Sequence, residues 1–271
     1  MILFANKVRS SKKNMSEIFS KPLTNEEAVP VIDGDFFSDS PESRFALAVF
    51  DGRDVVANDP SRLIRAYLRL RANVYIGQIR VLDVDQRRSN GTEVDEDDER
   101  STHFALLENR VGRVAVFGSM RFIEKSSQND SKLPIETFFP ETFEKPVENG
   151  SLEVSRFIVR HPDARQRGRA KLNLIRTGSA YLLRNNFEPI YATIETEFER
   201  DLRSVGVPTE KMTEAKYIED YKSVNHGIQF DPVGLRKLVG DKGMTDLAME
   251  KGDIGVFFGK AEIGDEDLRV A

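Results

Sequence analysis

Apolar residues recur at helical spacing between Ser61 and about Ile79 (Leu63, Ile64, Tyr67, Leu68, Val74 and Tyr75), with arginines between them. That period predicts an amphipathic helix. Beyond an acidic loop from Asp83 to Arg100, which carries the turn signal Ser89-Asn90-Gly91, the pattern becomes strand-like. His103 to Leu107 and Arg113 to Ile123 are two such runs, with Glu108 to Gly112 as a hairpin loop between them. Residues 124 to 150 are irregular and Pro-containing, with an aromatic cluster at Phe138, Phe139 and Phe143. A strand over 152–160 then leads through the turn Arg165-Gln166-Arg167-Gly168-Arg169-Ala170 into a helix at about 169–186. In that helix Leu172, Ile175, Ala180 and Leu183 are expected to face the core. Glu188 to Ile194 reads as a strand, Arg200 to Val205 closes a short helix with Gly206 near its C-cap, and a last strand lies near Ser223–Phe230. Strands pair locally in the first half and alternate with helices in the second. This predicts an α/β fold with a mixed central β-sheet flanked by helices.

Polarity along the chain suggests three parts. Residues 1–43 are polar and broken by Pro and Gly, with Lys7, Arg9, Lys12 and Lys13 near the start, and read as a flexible or loosely docked arm. Residues 44–235 form the main domain and 236–271 an acidic C-terminal extension. With 39% hydrophobic and 31% charged residues, the 271-residue chain is expected to be soluble and globular with a substantial core. Zero Cys excludes a disulfide scaffold, a thiolate zinc site and a Cys nucleophile. The three histidines, 103, 161 and 226, lack metal-ligand spacing, and a net charge of −5 argues against general nucleic-acid binding. No stretch approaches the roughly 20 apolar residues of a membrane span, and Met1 to Ala5 is too short for a signal peptide. A cytoplasmic location is therefore expected.

Three constellations carry candidate chemistry. Glu153 and Arg156 lie three apart on one strand, so in regular pleat they point to opposite faces. They share a site only if a bulge intervenes or the strand ends there; otherwise Arg156 pairs with a neighbouring carboxylate and Glu153 is solvated. Second, the cations Arg160, Arg165, Arg167, Arg169 and Lys171 surround Gly168 at a helix start. Positive charge is unfavourable there, so an anionic partner such as a phosphate suits the cluster, with a solvated basic turn as the alternative. Third, Glu93 to Glu99 is an acidic run without the ligand spacing of a calcium loop. It is either a solvated face or a partner for Arg121 and the arginines of the 61–75 helix.

In this order along the chain, the motifs resemble those of the acyl-homoserine-lactone synthase (autoinducer synthase) family, a branch of the GNAT acyltransferase fold. Arg71 and Tyr75 are similar to the family's helix Arg and aromatic, and Glu93-Val94-Asp95-Glu96-Asp97-Asp98 to its Glu-x-Asp-x-x-Asp. Gly118 to Arg121 resembles its Gly-x-x-Arg, and Glu153 to Phe157 its Glu-x-Ser-Arg-Phe. The resemblance spans about Arg62 to Phe230 and implies a GNAT-like sheet that splays at the acyl-donor cleft. It also implies transfer of a fatty acyl group from an acyl carrier protein or CoA thioester to an amine. The implied amine is S-adenosylmethionine, which would give an N-acyl-homoserine lactone of the kind used in quorum sensing. These are co-substrates; no cofactor and no metal is implied, and an acyl carrier protein is the implied partner. Glu153 and Arg156 become catalytic, and Arg71, Tyr75, Asp95, Asp98 and Arg121 bind the amine substrate. Arg165, Arg167, Gly168, Arg169 and Ala170, similar to the GNAT pyrophosphate loop, bind phosphopantetheine, and Leu174 and Ile194 help line the acyl tunnel.

The chain departs from the family in having no Trp, where the family carries one shortly after the helix aromatic; Arg80-Val81-Leu82 stands there, and Tyr75 replaces the usual Phe. Two other readings stay open: an N-acyl amino acid synthase, and a non-catalytic module that binds acyl thioesters.

Overall fold

The structure is a computed structural model that describes residues 29–33, 45–79, 82, 90–110, 112–125, 132–240 and the backbone of 254–258. Expectations for the rest of the arm, the tail, Arg80, Val81 and residues 83–89 lie outside these. Among the described residues ten strands form one sheet. They are β1 (Val31–Asp33), β2 (Phe45–Asp51), β3 (Ser101–Arg110), β4 (Arg113–Glu124), β5 (Leu152–Val159), β6 (Ile190–Glu195), β7 (Thr209–Lys211), β8 (Lys216–Ile218), β9 (Ser223–Phe230) and β10 (Ile254–Phe258). The order is β10-β2-β3-β4-β5-β6-β9-β7, with β1 on β4 and β8 on β9. Among the described residues only β10–β2 and β5–β6 run parallel; the other pairs are antiparallel.

Alternation along the central strands sends side chains to two cores. On one face Leu106, Phe117, Met120, Phe122, Leu152 and Val159 pack under three helices, α4 (Ala164–Arg184), α5 (Thr196–Ser204) and α6 (Pro232–Val239). On the other, Ala105, Leu107, Val114, Val116 and Ile158 meet α1 (Gly52–Val56) and α2 (Arg62–Ala72). Ser61 caps α2, its Oγ accepting from Ile64 N–H at 3.3 Å. The helix predicted over Ser61–Ile79 is thus α2 followed by a wider π turn over Asn73–Gln78. A third, smaller core gathers Ile123, Ile135, Phe139 and Tyr191 around α3 (Pro134–Phe138).

The mixed α/β sheet agrees with the sequence pattern, and β9 falls where it was read. Several elements differ. Helix α4 begins at Ala164, because Asp163 is its N-cap and its Oδ1 accepts from Gln166 N–H at 2.9 Å. The segment expected as a turn, 165–170, is therefore already helical. Strand β2 was not foreseen: Phe45-Ala-Leu-Ala-Val-Phe is an unbroken apolar run, and β2 lies between β3 and β10. The short α6 follows β9 directly, with Asp231 as its cap and Pro232 in its first turn. Within the expected arm, Val31–Asp33 pairs with Arg113–Ala115 of β4.

Candidate active site

Two irregularities in β5 create the site. Ser119 pairs with Ile158 but Arg121 pairs with Ser155, so β5 carries one more residue than β4 between these points. Such a bulge turns two successive side chains to one face. Arg156 takes up the extra residue with φ 51°, in the left-handed region that only Gly enters without strain. Glu153, Ser155 and Arg156 therefore share a face, which answers the objection that positions three apart diverge. On the other side, β5 pairs with β6 only over Leu152–Val154 and Ile190–Ala192. Beyond Val154 the two strands part.

Arg156 faces a buried ionic cluster. Its Nη2 donates to Glu93 Oε1 at 2.9 Å and Asp95 Oδ2 at 2.7 Å. Arg71 on α2 donates through Nε to Glu93 and through both terminal nitrogens to Asp98, at 2.7 and 3.0 Å. From β4, Arg121 reaches Asp95 and Asp98, and its Nε donates to Ser155 Oγ at 2.9 Å. Three guanidiniums thus meet three carboxylates. Burial opposes charge on Asp98, but Arg71 and Arg121 outweigh it and hold that carboxyl well below its usual range. Burial likewise opposes the Arg71 charge, and Asp98 and Glu93 outweigh it. The Arg156 guanidinium lies 5.0 Å from the Tyr75 ring centre, a cation–π contact.

The acidic turn is held from behind. Burial lowers the His103 pKa to about 4, so the ring is neutral. Its Nε2 lies 3.0 Å from the Asp98 carbonyl oxygen and its Nδ1 3.0 Å from Tyr67 OH. One tautomer satisfies both: Nε2–H donates to the carbonyl and Nδ1 accepts from the tyrosine. Gly52 closes the packing, since a Cβ there would stand 2.1 Å from the Asp98 carbonyl oxygen.

Glu153 stands apart from this cluster. It is 1% exposed; Oε2 accepts from Ile135 N–H at 2.7 Å and Oε1 from Thr193 Oγ at 2.9 Å. Burial raises its pKa to about 7, against the pull of those two donors. A carboxylate with that pKa exchanges protons near neutrality, as a general base must. Thr193 also lines a cavity of about 140 Å³ that opens where β5 and β6 part. Val154 to Phe157, Ala192 to Glu195 and Gly178 form its walls, and Tyr75, Arg156, Tyr221 and Asn225 lie on the polar side. Ile194 lines it; Leu174 does not, being packed into the core of α4 instead.

The basic segment stands elsewhere. Arg167 N–H donates to the Asp163 carbonyl, and its guanidinium turns inward to the His161 carbonyl at 2.9 Å. Arg165 and Arg169 are exposed and Ala170 is in the core. Gly168 has open space around it, so nothing there requires a glycine. The backbone N–H groups expected to cradle a phosphate are largely committed to the helix. What remains toward solvent is the first turn of α4 with Arg165 and Arg169.

The autoinducer synthase family profile matches residues 59–232, more than half of the chain and, apart from Gly52, all of the residues just described. The chain belongs to the autoinducer synthase family. It is thereby an enzyme of the acyltransferase class. Solved structures share its fold. The CoA-dependent acyl-homoserine lactone synthase BjaI, with SAM and isopentyl-CoA, matches at 18% identity and TM-score 0.55 over 79% of this chain and 92% of that one. The acyl-homoserine lactone synthase LasI matches at 18% identity and TM-score 0.52, over 72% and 96%. MesI, also described as CoA-dependent, matches at 18% and 0.50, over 70% and 93%. No curated protein matches the chain in sequence.

In this autoinducer synthase, sequence reasoning missed Ile135, Thr193 and Gly52. A backbone N–H leaves no trace in residue identity. Thr193, by contrast, alternates with apolar residues on a strand that the pattern had located. Leu82, the described residue of the Arg80-Val81-Leu82 stretch, is buried on the α2 side of the sheet. Among the described residues no helix is long and apolar enough to cross a membrane, and no group of side chains has the makings of a metal site.

Proposed function

We propose that the chain transfers a fatty acyl group from a thioester to the α-amine of S-adenosylmethionine, giving an N-acyl-homoserine lactone and methylthioadenosine. The observation that carries this reading is the junction at the β5 bulge. There an apolar cavity between parted strands meets a buried Arg–carboxylate cluster, with Glu153 of raised pKa beside it. The acyl chain lies among Phe157, Ile194 and Phe198. The amine substrate sits against Tyr75, Arg156 and the rim of the cluster. Arg71, Asp98 and Arg121 hold that rim, and the partly exposed Asp95, at 24% side-chain exposure, is the carboxylate that reaches it.

Glu153 takes the proton released by the attacking amine, through Thr193 or a water in the cavity. The amine adds to the thioester carbonyl, and a backbone N–H freed from the ladder by the bulge stabilises the oxyanion. The C–S bond then breaks and the thiol departs. For lactone formation the substrate's carboxylate oxygen attacks its own γ-carbon, breaking the bond to sulfur and releasing methylthioadenosine. That step needs placement more than another catalytic group. The donor's phosphate meets Arg165 and Arg169 at the start of α4, whether it arrives on CoA or on an acyl carrier protein. The reaction is expected in the cytoplasm, where both co-substrates are made.

The test is a mass-spectrometric product assay with S-adenosylmethionine, a pool of amino acids, and acyl-CoAs and acyl carrier proteins of several chain lengths. A lactone with stoichiometric methylthioadenosine supports the reading. The absence of any Trp from the chain keeps a second reading open, a free amino acid as acceptor; an acylated amino acid without methylthioadenosine would establish it. Acyl-thioester binding with no product from any pair would overturn both readings of the acceptor.

A further inference from the structure

Among the described residues the stretch from Lys132 to Ser151 contains no strand, yet one buried side chain ties Leu133 near its start to Val147 near its end. Glu136, 2% exposed, accepts from Leu133 N–H at 2.6 Å through Oε2 and from Val147 N–H at 2.9 Å through Oε1. Lys125, just after β4, adds its ammonium at 3.1 Å. Its backbone N–H in turn donates to the Ser151 carbonyl just before β5. The loop is thereby tied to the strands that carry Arg121 and Glu153. Immediately before Glu136, Ile135 N–H donates to Glu153 Oε2. The Ile135 side chain is buried with Leu133, Phe139 and Tyr191, which sets the direction of that N–H.

We propose that Glu136, which does not line the cavity, is a positioning residue for the reaction: its clamp on the loop holds the Ile135 N–H on the Glu153 carboxylate. The proposal rests on Glu153 being the base. Loss of that N–H removes one of the two donors that offset burial at Glu153, so its proton affinity rises further. Of the other groups facing Glu153, Tyr191 also lies near the clamp, its pKa raised by burial and then by the Glu136 charge. Asp97 on the acidic turn acts to raise its pKa and Arg121 on β4 to lower it. Thr193 and Tyr191 come from β6 and Tyr221 from the turn before β9. Removing the Glu136 charge would by itself lower the Glu153 pKa, so a rise in Glu136→Gln is traceable to the Ile135 N–H.

The experiment uses the full chain and the variants Glu136→Gln and Lys125→Met. In Glu136→Gln an amide NH2 must face one of two N–H donors, which loosens one end of the loop. Glu153 is titrated by carboxyl ¹³C NMR, its resonance assigned with Glu153→Gln, and kcat/KM is measured against pH. In Glu136→Gln the titration is expected to move up by about half a unit or more, and the acid limb of kcat/KM to move with it. The rate loss is largest below neutrality and closes to within about twofold at high pH. Lys125→Met gives a smaller shift of the same sign, and decides the matter if Glu136→Gln does not fold. An unmoved Glu153 titration, or a loss equal at every pH, would overturn the proposal. The titration needs no turnover. If Glu153→Gln keeps full activity while the clamp variants move the titration, it is the assignment of the base that fails, not the clamp.

Discussion

Two groups of arginines in this molecule are held under opposite constraints. Arg71, Arg121 and Arg156 are buried, come from three different elements, and converge on Glu93, Asp95 and Asp98. Arg165 and Arg169 are neighbours on one helical turn, exposed to water, where the helix dipole disfavours them. The first group satisfies its own charge within the fold. It can shape a pocket and orient a substrate, but it has little charge left over with which to attract one. The second group is exposed to water, and in the proposed reading it meets a phosphate that arrives from solvent. The same residue type thus stands in opposite settings, decided by whether the fold buries it among carboxylates or leaves it at the surface.

The sharpest way to break this contrast is to remove one carboxylate from the closed cluster. Asp98→Asn leaves Arg71 and Arg121 facing a neutral group while buried. Its expected cost is about 3–5 kcal/mol of stability, read by chemical denaturation. Gly52→Ala attacks the same turn from behind, because the new Cβ overlaps the Asp98 carbonyl. It should cost about 1–3 kcal/mol, and turnover should fall as Asp98 is displaced. Glu153→Gln separates chemistry from packing. Turnover should fall by about 10²-fold or more, with stability at pH 8 unchanged or raised, since a neutral amide replaces a buried acid.

The sign of the pH dependence follows from the direction of the Glu153 shift. A carboxyl whose pKa rises on folding, here to about 7, stabilises the fold fully below its unfolded pKa, and that contribution is lost as pH climbs through 7. Asp98 behaves in reverse: its depressed pKa contributes stability above the unfolded value, lost as acid reaches the folded one. The smallest effect is expected at the open group. Arg165→Ala with Arg169→Ala should leave stability within about 0.5 kcal/mol and raise KM for the acyl donor with kcat little changed. A fall in kcat at saturating donor would show that these arginines do more than capture phosphate.

The closed cluster was largely legible in the sequence, because its members sit in motifs whose order is distinctive and whose residue types pair only one way. Its geometry was not. Glu153 and Arg156 share a face only through an extra residue in β5, and no side-chain pattern marks Arg156 as left-handed. The open group was legible as charge and misread as structure. Gly168 suggested a turn, but Asp163 caps a helix that runs straight through an exposed glycine. Strand β2 was hidden by burial on both faces, which erases the alternation that identifies a strand. In the stretch from 124 to 150, Pro134 followed by Glu136 is a helix-start signal that aromatic clustering obscured.

The most direct test of the account is the pH dependence of kcat/KM for acyl transfer to S-adenosylmethionine, measured for the native enzyme and for Glu153→Gln. The account predicts a native acid limb centred near pH 7, absent from the much slower variant. A native profile flat through neutrality, or the same limb persisting in the variant, would contradict Glu153 as the base at the junction of cavity and cluster.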